Sequence, residues 1–164
     1  MKTMDRLMEA YENAKRLPLD NSMRLIFFSD VHRGDNSLSD EFAHNQNVYE
    51  YALDYYYDKG YTYVEVGDGD ELWEHSKFKH IRLAHSSVYI NLKRYHESGR
   101  MLMLYGNHNM DYKFTSYIET HLQEYFDEFQ DQYSELFPGI KVHEALVFEQ
   151  DRKSTRLNSS HGII

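Results

Sequence analysis

The chain contains no cysteine and only two prolines in 164 residues. The first absence excludes disulfides and thiolate metal sites, while leaving the compartment open. Pro18 and Pro138 read as punctuation between elements, and no repeat or low-complexity block interrupts the chain. Long apolar runs are missing too. The first twenty residues carry Lys2, Asp5, Arg6, Glu9 and Glu12, which argues against a signal peptide or a membrane span and makes a cytoplasmic location the default expectation. Basic charge is scarce: 18 Lys and Arg stand against 27 Asp and Glu, a formal net charge of −9, so no broad nucleic-acid-binding face is expected. Acidity leaves a phosphorylated substrate open, because bound metal ions reverse the local field.

Aromatic side chains are plentiful, with 15 Tyr and 9 Phe, enough to fill one core in a chain too short for two domains of usual size. The tyrosine run Tyr55-Tyr56-Tyr57 fits core or interface packing better than a stacking platform. Apolar periodicity predicts a helix over 3–16, ended by Pro18, and a strand over 23–28. A helix over 41–59, capped by Ser39 or Asp40 and stopped by Gly60, leads to a strand over 61–66. A helix over 77–97 closed by Gly99 and a strand over 101–105 follow, then a helix over 113–136 and a strand over 140–148. Strand, helix, strand, helix, strand with right-handed crossovers gives an α/β fold, a mostly parallel sheet with flanking helices.

Three segments each follow a strand-like run and concentrate hard oxygen and imidazole donors: Asp30-Val31-His32-Arg33-Gly34-Asp35, Gly67-Asp68-Gly69-Asp70-Glu71 and Gly106-Asn107-His108-Asn109. A parallel sheet delivers such groups to one edge, where open α/β folds build their sites, and the donor set suits divalent metals. Asp30 and His32 are two residues apart, which in an extended segment points both side chains to the same side. Gly67 and Gly106 precede ligand positions and allow a sharp turn there. Arg33 contacts a phosphate or is an exposed residue without a role. His44, His75, His80, His85, His96 and His121 read as surface residues.

These motifs, in this order and separated by 38 residues from Asp30 to Asp68 and 39 from Asp68 to Asn107, resemble the signature of the calcineurin-like metallophosphoesterase superfamily. The resemblance implies the α/β sandwich of that superfamily and two divalent ions, Mn before Fe, Zn or Ni. It implies Asp30, His32, Asp68 and Asn107 as metal ligands, Asp68 bridging both ions, and His108 as the acid-base residue. Asp35 and Glu71 would support the ligands from behind, Glu71 in the acidic slot of the second motif. Asn109 stands where the family carries the carboxylate that orients the histidine. The implied activity is hydrolysis of a phosphate ester or anhydride by metal-bound hydroxide. The alternative is a catalytically silent relative that binds metal or a partner.

The family's later motifs, a lone metal-binding His and a Gly-His-x-His segment, have no counterpart: His143 lies in an alternating strand pattern without an adjacent Gly, and His161-Gly162 reverses the order. Residues 151–164 read as one translated frame of a sequencing-library adaptor, so 150–164 is expected to be disordered artefact. The expectation is that residues 1–149 are the N-terminal part of a longer single-domain enzyme, a truncated fold inactive by itself.

Overall fold

The computed structural model describes residues 3–150 and the backbone of 162–163. In chain order the elements are α1 (Thr3–Asn13), β1 (Lys15–Leu19), β2 (Leu25–Phe28), α2 (Gln46–Asp58), β3 (Thr62–Val66), α3 (Phe78–Ala84), α4 (Ser86–Glu97) and β4 (Met101–Leu104). A hairpin of β5 (Glu124–Asp127) and β6 (Gln132–Glu135) follows, then β7 (Val142–His143), β8 (Leu146–Gln150) and β9 (Gly162–Ile163). Residues 24–142 form one compact unit; the described residues before 24 and from 143 onward form a second.

In the larger unit β2, β3 and β4 pair in parallel in sequence order, with Phe28 opposite Glu65 and Val66 opposite Leu104. Parallel neighbours need a crossover, which α2 provides first and α3 with α4 second. Beyond β4 the sheet is extended by the strand that opens at Val142. Leu53, Val88, Leu92 and Tyr95 of the helices join Tyr63, Met101 and Met103 of the strands in one core. Each such side chain contributes about 1.5–3 kcal/mol when fully buried. The architecture is thus α/β, mostly parallel, with flanking helices. All three parallel strands end at the same edge.

All three expected helices in this unit are altered: the 41–59 segment opens as a 3₁₀ turn over Glu41–His44 and becomes α2 only at Gln46. The 77–97 segment breaks at His85, although Ile81, Val88, Leu92 and Tyr95 remain buried as the periodicity requires. His85 is no surface residue: it is fully buried, with Nε2 2.7 Å from Asp40 Oδ2 and Nδ1 2.8 Å from Gln46 Oε1. The expected helix over 113–136 gives way to short helical turns over 110–123 and then the β5–β6 hairpin. Its aromatic spacing suits a helix, but Asp127 Oδ1 accepts hydrogen bonds from the Phe129 and Gln130 backbone N–H groups and makes a turn.

In the smaller unit α1 ends at Asn13, short of the expected residue 16, and none of its described residues is buried. The chain then enters β1, which pairs in parallel with β8 at the edge of a sheet ordered β1-β8-β9. Pro18 therefore lies inside a strand and stops no helix, a position open to proline because an edge strand leaves N–H groups unpaired. The single strand expected over 140–148 is two, β7 and β8, in different sheets. Gln150 closes β8 and Gly162–Ile163 pair with it antiparallel; the rest of the expected disordered tail lies outside the described residues. Among the described residues no helix is long and apolar enough to cross a membrane.

Asp40 is the expected cap, accepting from the Phe42 and Ala43 N–H groups at the start of a 3₁₀ turn (Glu41–His44) ahead of α2. Burial alone would raise its carboxyl; hydrogen bonds from Asn36 N–H and His85 outweigh burial and hold it below the usual carboxylate value. A depressed carboxyl stabilises the fold above its unfolded value, about 3.9 for Asp, and that contribution disappears as pH falls through the lower folded value. Asp40→Asn is expected to cost about 3 kcal/mol at pH 7, as loss of a buried charged partner does. Urea melts between pH 7 and pH 3 check this, the variant losing less stability than the wild type below about pH 4.

Candidate metal centre

The three motif loops continue the strand order past the sheet's C-terminal edge. His32 N–H donates to Asp68 O, Arg33 N–H to Gly69 O, and Glu71 N–H to Arg33 O, each near 2.9–3.0 Å. Leu72 N–H donates to His108 O at 3.0 Å, and His108 N–H to Asp68 Oδ1 at 2.8 Å. Asp68 is therefore stitched to both neighbouring loops. A Cβ on Gly106 would lie 2.3 Å from Asp68 Oδ1, so glycine is required there for close approach.

Asp30, His32 and Asp68 each hold a left-handed backbone, with φ of 52°, 51° and 50°. Such conformations are uncommon outside glycine and persist where surrounding structure over-determines them, most often at sites. The extended geometry expected across Asp30 and His32 is not what the chain adopts there: both residues hold left-handed backbones. One donor atom from each of Asp30, His32 and Asp68 lies within 4.8 Å of the other two. His32 Nε2 faces Asp30 Oδ1 at 3.9 Å.

A second triad, His32, Glu71 and His108, is held by hydrogen bonds. Glu71 Oε2 lies 2.7 Å from His32 Nδ1 and 2.6 Å from His108 Nδ1. An ionised carboxylate accepts only, so both rings carry their proton on Nδ1 and leave Nε2 for other work. Burial alone would raise the Glu71 carboxyl, but the bonds from His32, Glu74 N–H and His108 hold it below its usual value. The rings of His32 and His108 meet edge to face at 4.4 Å, and Trp73 packs against His108 at 4.9 Å.

Asn107 follows β4 as expected but is exposed and lines a cavity of about 230 Å³ with Trp73, His108 and Asp111. Asn109 is buried and accepts from Gly106 N–H at 2.6 Å; it shapes the loop, while Glu71 orients His108. Asp35 lies 3.3 Å from His75 Nδ1, and Ser37 bonds hold its carboxyl low. His75, expected at the surface, is mostly buried beside a cavity of about 270 Å³ that also meets His32, Glu71 and His108. Its place four residues after Glu71 was the available signal.

Arg33 is the largest correction. It is neither exposed nor open to a phosphate: its side chain is fully buried, with Nε 2.6 Å from Asp70 Oδ1 and both Nη atoms on Glu65 at 2.8 and 3.0 Å. Tyr63 donates to Glu65, and Tyr89 and Tyr112 donate to Asp70. Burial by itself would lower the guanidinium's pKa; Asp70 and Glu65 more than offset it and hold it well above its ordinary value. Burial, with the facing carboxylates, pushes the tyrosine hydroxyls up, so they remain donors. Asp70 and Glu65 were missed in the sequence because a carboxylate aimed inward carries no local mark.

Comparison with models of protein families, with curated proteins and with solved structures finds no match to this chain.

Arg33→Met is expected to lower stability by about 3–5 kcal/mol, since it strands two carboxylates in the core. An exposed arginine would cost within about 0.5 kcal/mol. Denaturant unfolding distinguishes the two.

Proposed function

We propose that the chain carries a divalent-metal site serving hydrolysis of a phosphate ester or anhydride, as the resemblance to the calcineurin-like metallophosphoesterases implies. The observation that supports this most is the gathering of Asp30, His32 and Asp68 donors within 4.8 Å at the end of a parallel sheet. Two carboxylates and an imidazole with its Nε2 free fit Mn²⁺, Fe²⁺ or Zn²⁺. A cation held there would polarise a phosphoryl oxygen and lower the pKa of water.

The chain's own residues supply the rest. Glu71 fixes His32 in the tautomer a metal ligand needs, the role that carboxylates behind ligating histidines commonly play. The same oxygen holds His108 Nδ1–H, leaving the Nε2 lone pair to take up a proton from water and, as imidazolium, deliver it to the leaving-group oxygen. The cavity bordered by His32, Glu71, His75 and His108 is the space for the substrate. Three gathered donors suffice for one ion. A second ion would draw on the Asn107 amide and on further donors not gathered here, so turnover by residues 1–164 is expected to be low. A silent metal-binding relative is the second reading, favoured by the exposure of Asn107.

Calorimetric titration of the purified chain with Mn²⁺ is expected to give one site, weakened about tenfold or more by Asp68→Asn or His32→Ala. Two equal sites, or none, would overturn the ligand assignment. His108→Ala is expected to lower the kcat of any hydrolysis of a generic aryl phosphate by about 10²–10⁴-fold. Mn²⁺ binding with no detectable hydrolysis of that ester would favour the silent relative.

A further inference from the structure

Outside the metal centre, α3, α4 and the β5–β6 hairpin enclose a cavity of about 540 Å³. Its walls are largely apolar, from Leu83, Ile90, Phe129 and Leu136. Ser86, Lys93, Asp127 and Arg82 are the polar members of the lining, and Arg82 is the most deeply placed. It is only 7% exposed, yet its Nε has no hydrogen-bond partner among the described residues, and its guanidinium lies over the Tyr125 ring at 3.7 Å.

The contrast with Arg33 is informative. Both guanidinium groups are buried, but Arg33 meets two carboxylates at hydrogen-bond distance, whereas Arg82 meets an aromatic face. The acids near Arg82 are engaged elsewhere: Asp127 caps the hairpin turn through Phe129 and Gln130, and Glu128 pairs with Lys79. Burial accordingly lowers the guanidinium's pKa despite the fields of Tyr125 and Asp127. A second cation, Lys93, borders the cavity and donates to Glu135 O at 2.6 Å. Ile90 and Phe129, 65% and 92% exposed, form an apolar rim. Buried polar groups without partners ask for an explanation, and planar guanidinium groups bind carboxylate and phosphate oxygens in pairs.

We propose that this cavity binds a small amphiphilic anion, its carboxylate or phosphate head on Arg82 and its apolar body along Ile90, Phe129 and Leu136. The attraction is local, because the chain as a whole carries a charge of −9. No lining residue belongs to the metal centre, so this site stands or falls independently of the proposed hydrolysis.

The test is calorimetric titration of the metal-free chain with decanoate, decyl phosphate, decanol, decyltrimethylammonium and inorganic phosphate, each below its micelle concentration. Decanoate or decyl phosphate is expected to bind about tenfold or more tightly than decanol, the worth of a charge-assisted hydrogen bond. The cationic amphiphile and free phosphate are expected not to bind. Arg82→Met should erase the advantage of the anion and leave decanol unchanged, with folding checked by circular dichroism. Ile90→Glu, at an exposed position, should repel the same anions if the arginine variant fails to fold. Equal binding of decanol and the anions would overturn the proposal. So would undiminished anion binding by either folded variant, or free phosphate binding as tightly as decyl phosphate.

Discussion

The buried contact of Arg33 with Asp70 and Glu65 is the constraint on which the candidate metal centre depends. Arg33 follows a proposed ligand directly, and Asp70 lies two residues past another. Their backbones bridge in parallel, so the ion pair and the main-chain bonds lock the first and second loops in one register. Burying three charges is costly, and such clusters stabilise less than their short distances suggest. Its effect is geometric: with the loops locked, the left-handed conformations of Asp30, His32 and Asp68 are maintained against their intrinsic cost of about 1–3 kcal/mol each.

Close packing enforces the same arrangement. A Cβ on Gly69 would lie 2.1 Å from Glu65 Oε1 and 2.6 Å from Arg33 Nη2, so the second loop passes the buried cluster with no room for a side chain. In front of the cluster, Glu71 sets the state of both imidazoles from one oxygen, and the loop amide Asn109 turns to the backbone of Gly106. Burial of charge thus has different outcomes within one small unit. Arg33 and the pair formed by Asp40 and His85 are matched internally, and Arg82 is left with an aromatic neighbour.

Local patterns made much of this legible. Apolar period and end signals located β2, α2, β3 and β4, with Asp40 as cap, because those signals lie within one or two turns of the elements they define. They misled where two local rules competed. Aromatic residues at helical spacing over 113–136 concealed the turn-forming Asp127, and Pro18 read as a stop although an edge strand accommodates it.

By itself, then, the sequence determined the alternation of strands and helices and the placing of the loops that carry Asp30, His32, Asp68 and Asn107 at one sheet edge. Strand direction and loop position follow from chain order. Only the tertiary structure decided which polar groups face inward and whom they meet. Arg33 finds Glu65 32 residues away, His108 finds Glu71 37 away, and His85 finds Asp40 45 away. The free energy of a buried charge is set by partners in space, and no local pattern encodes a partner that distant.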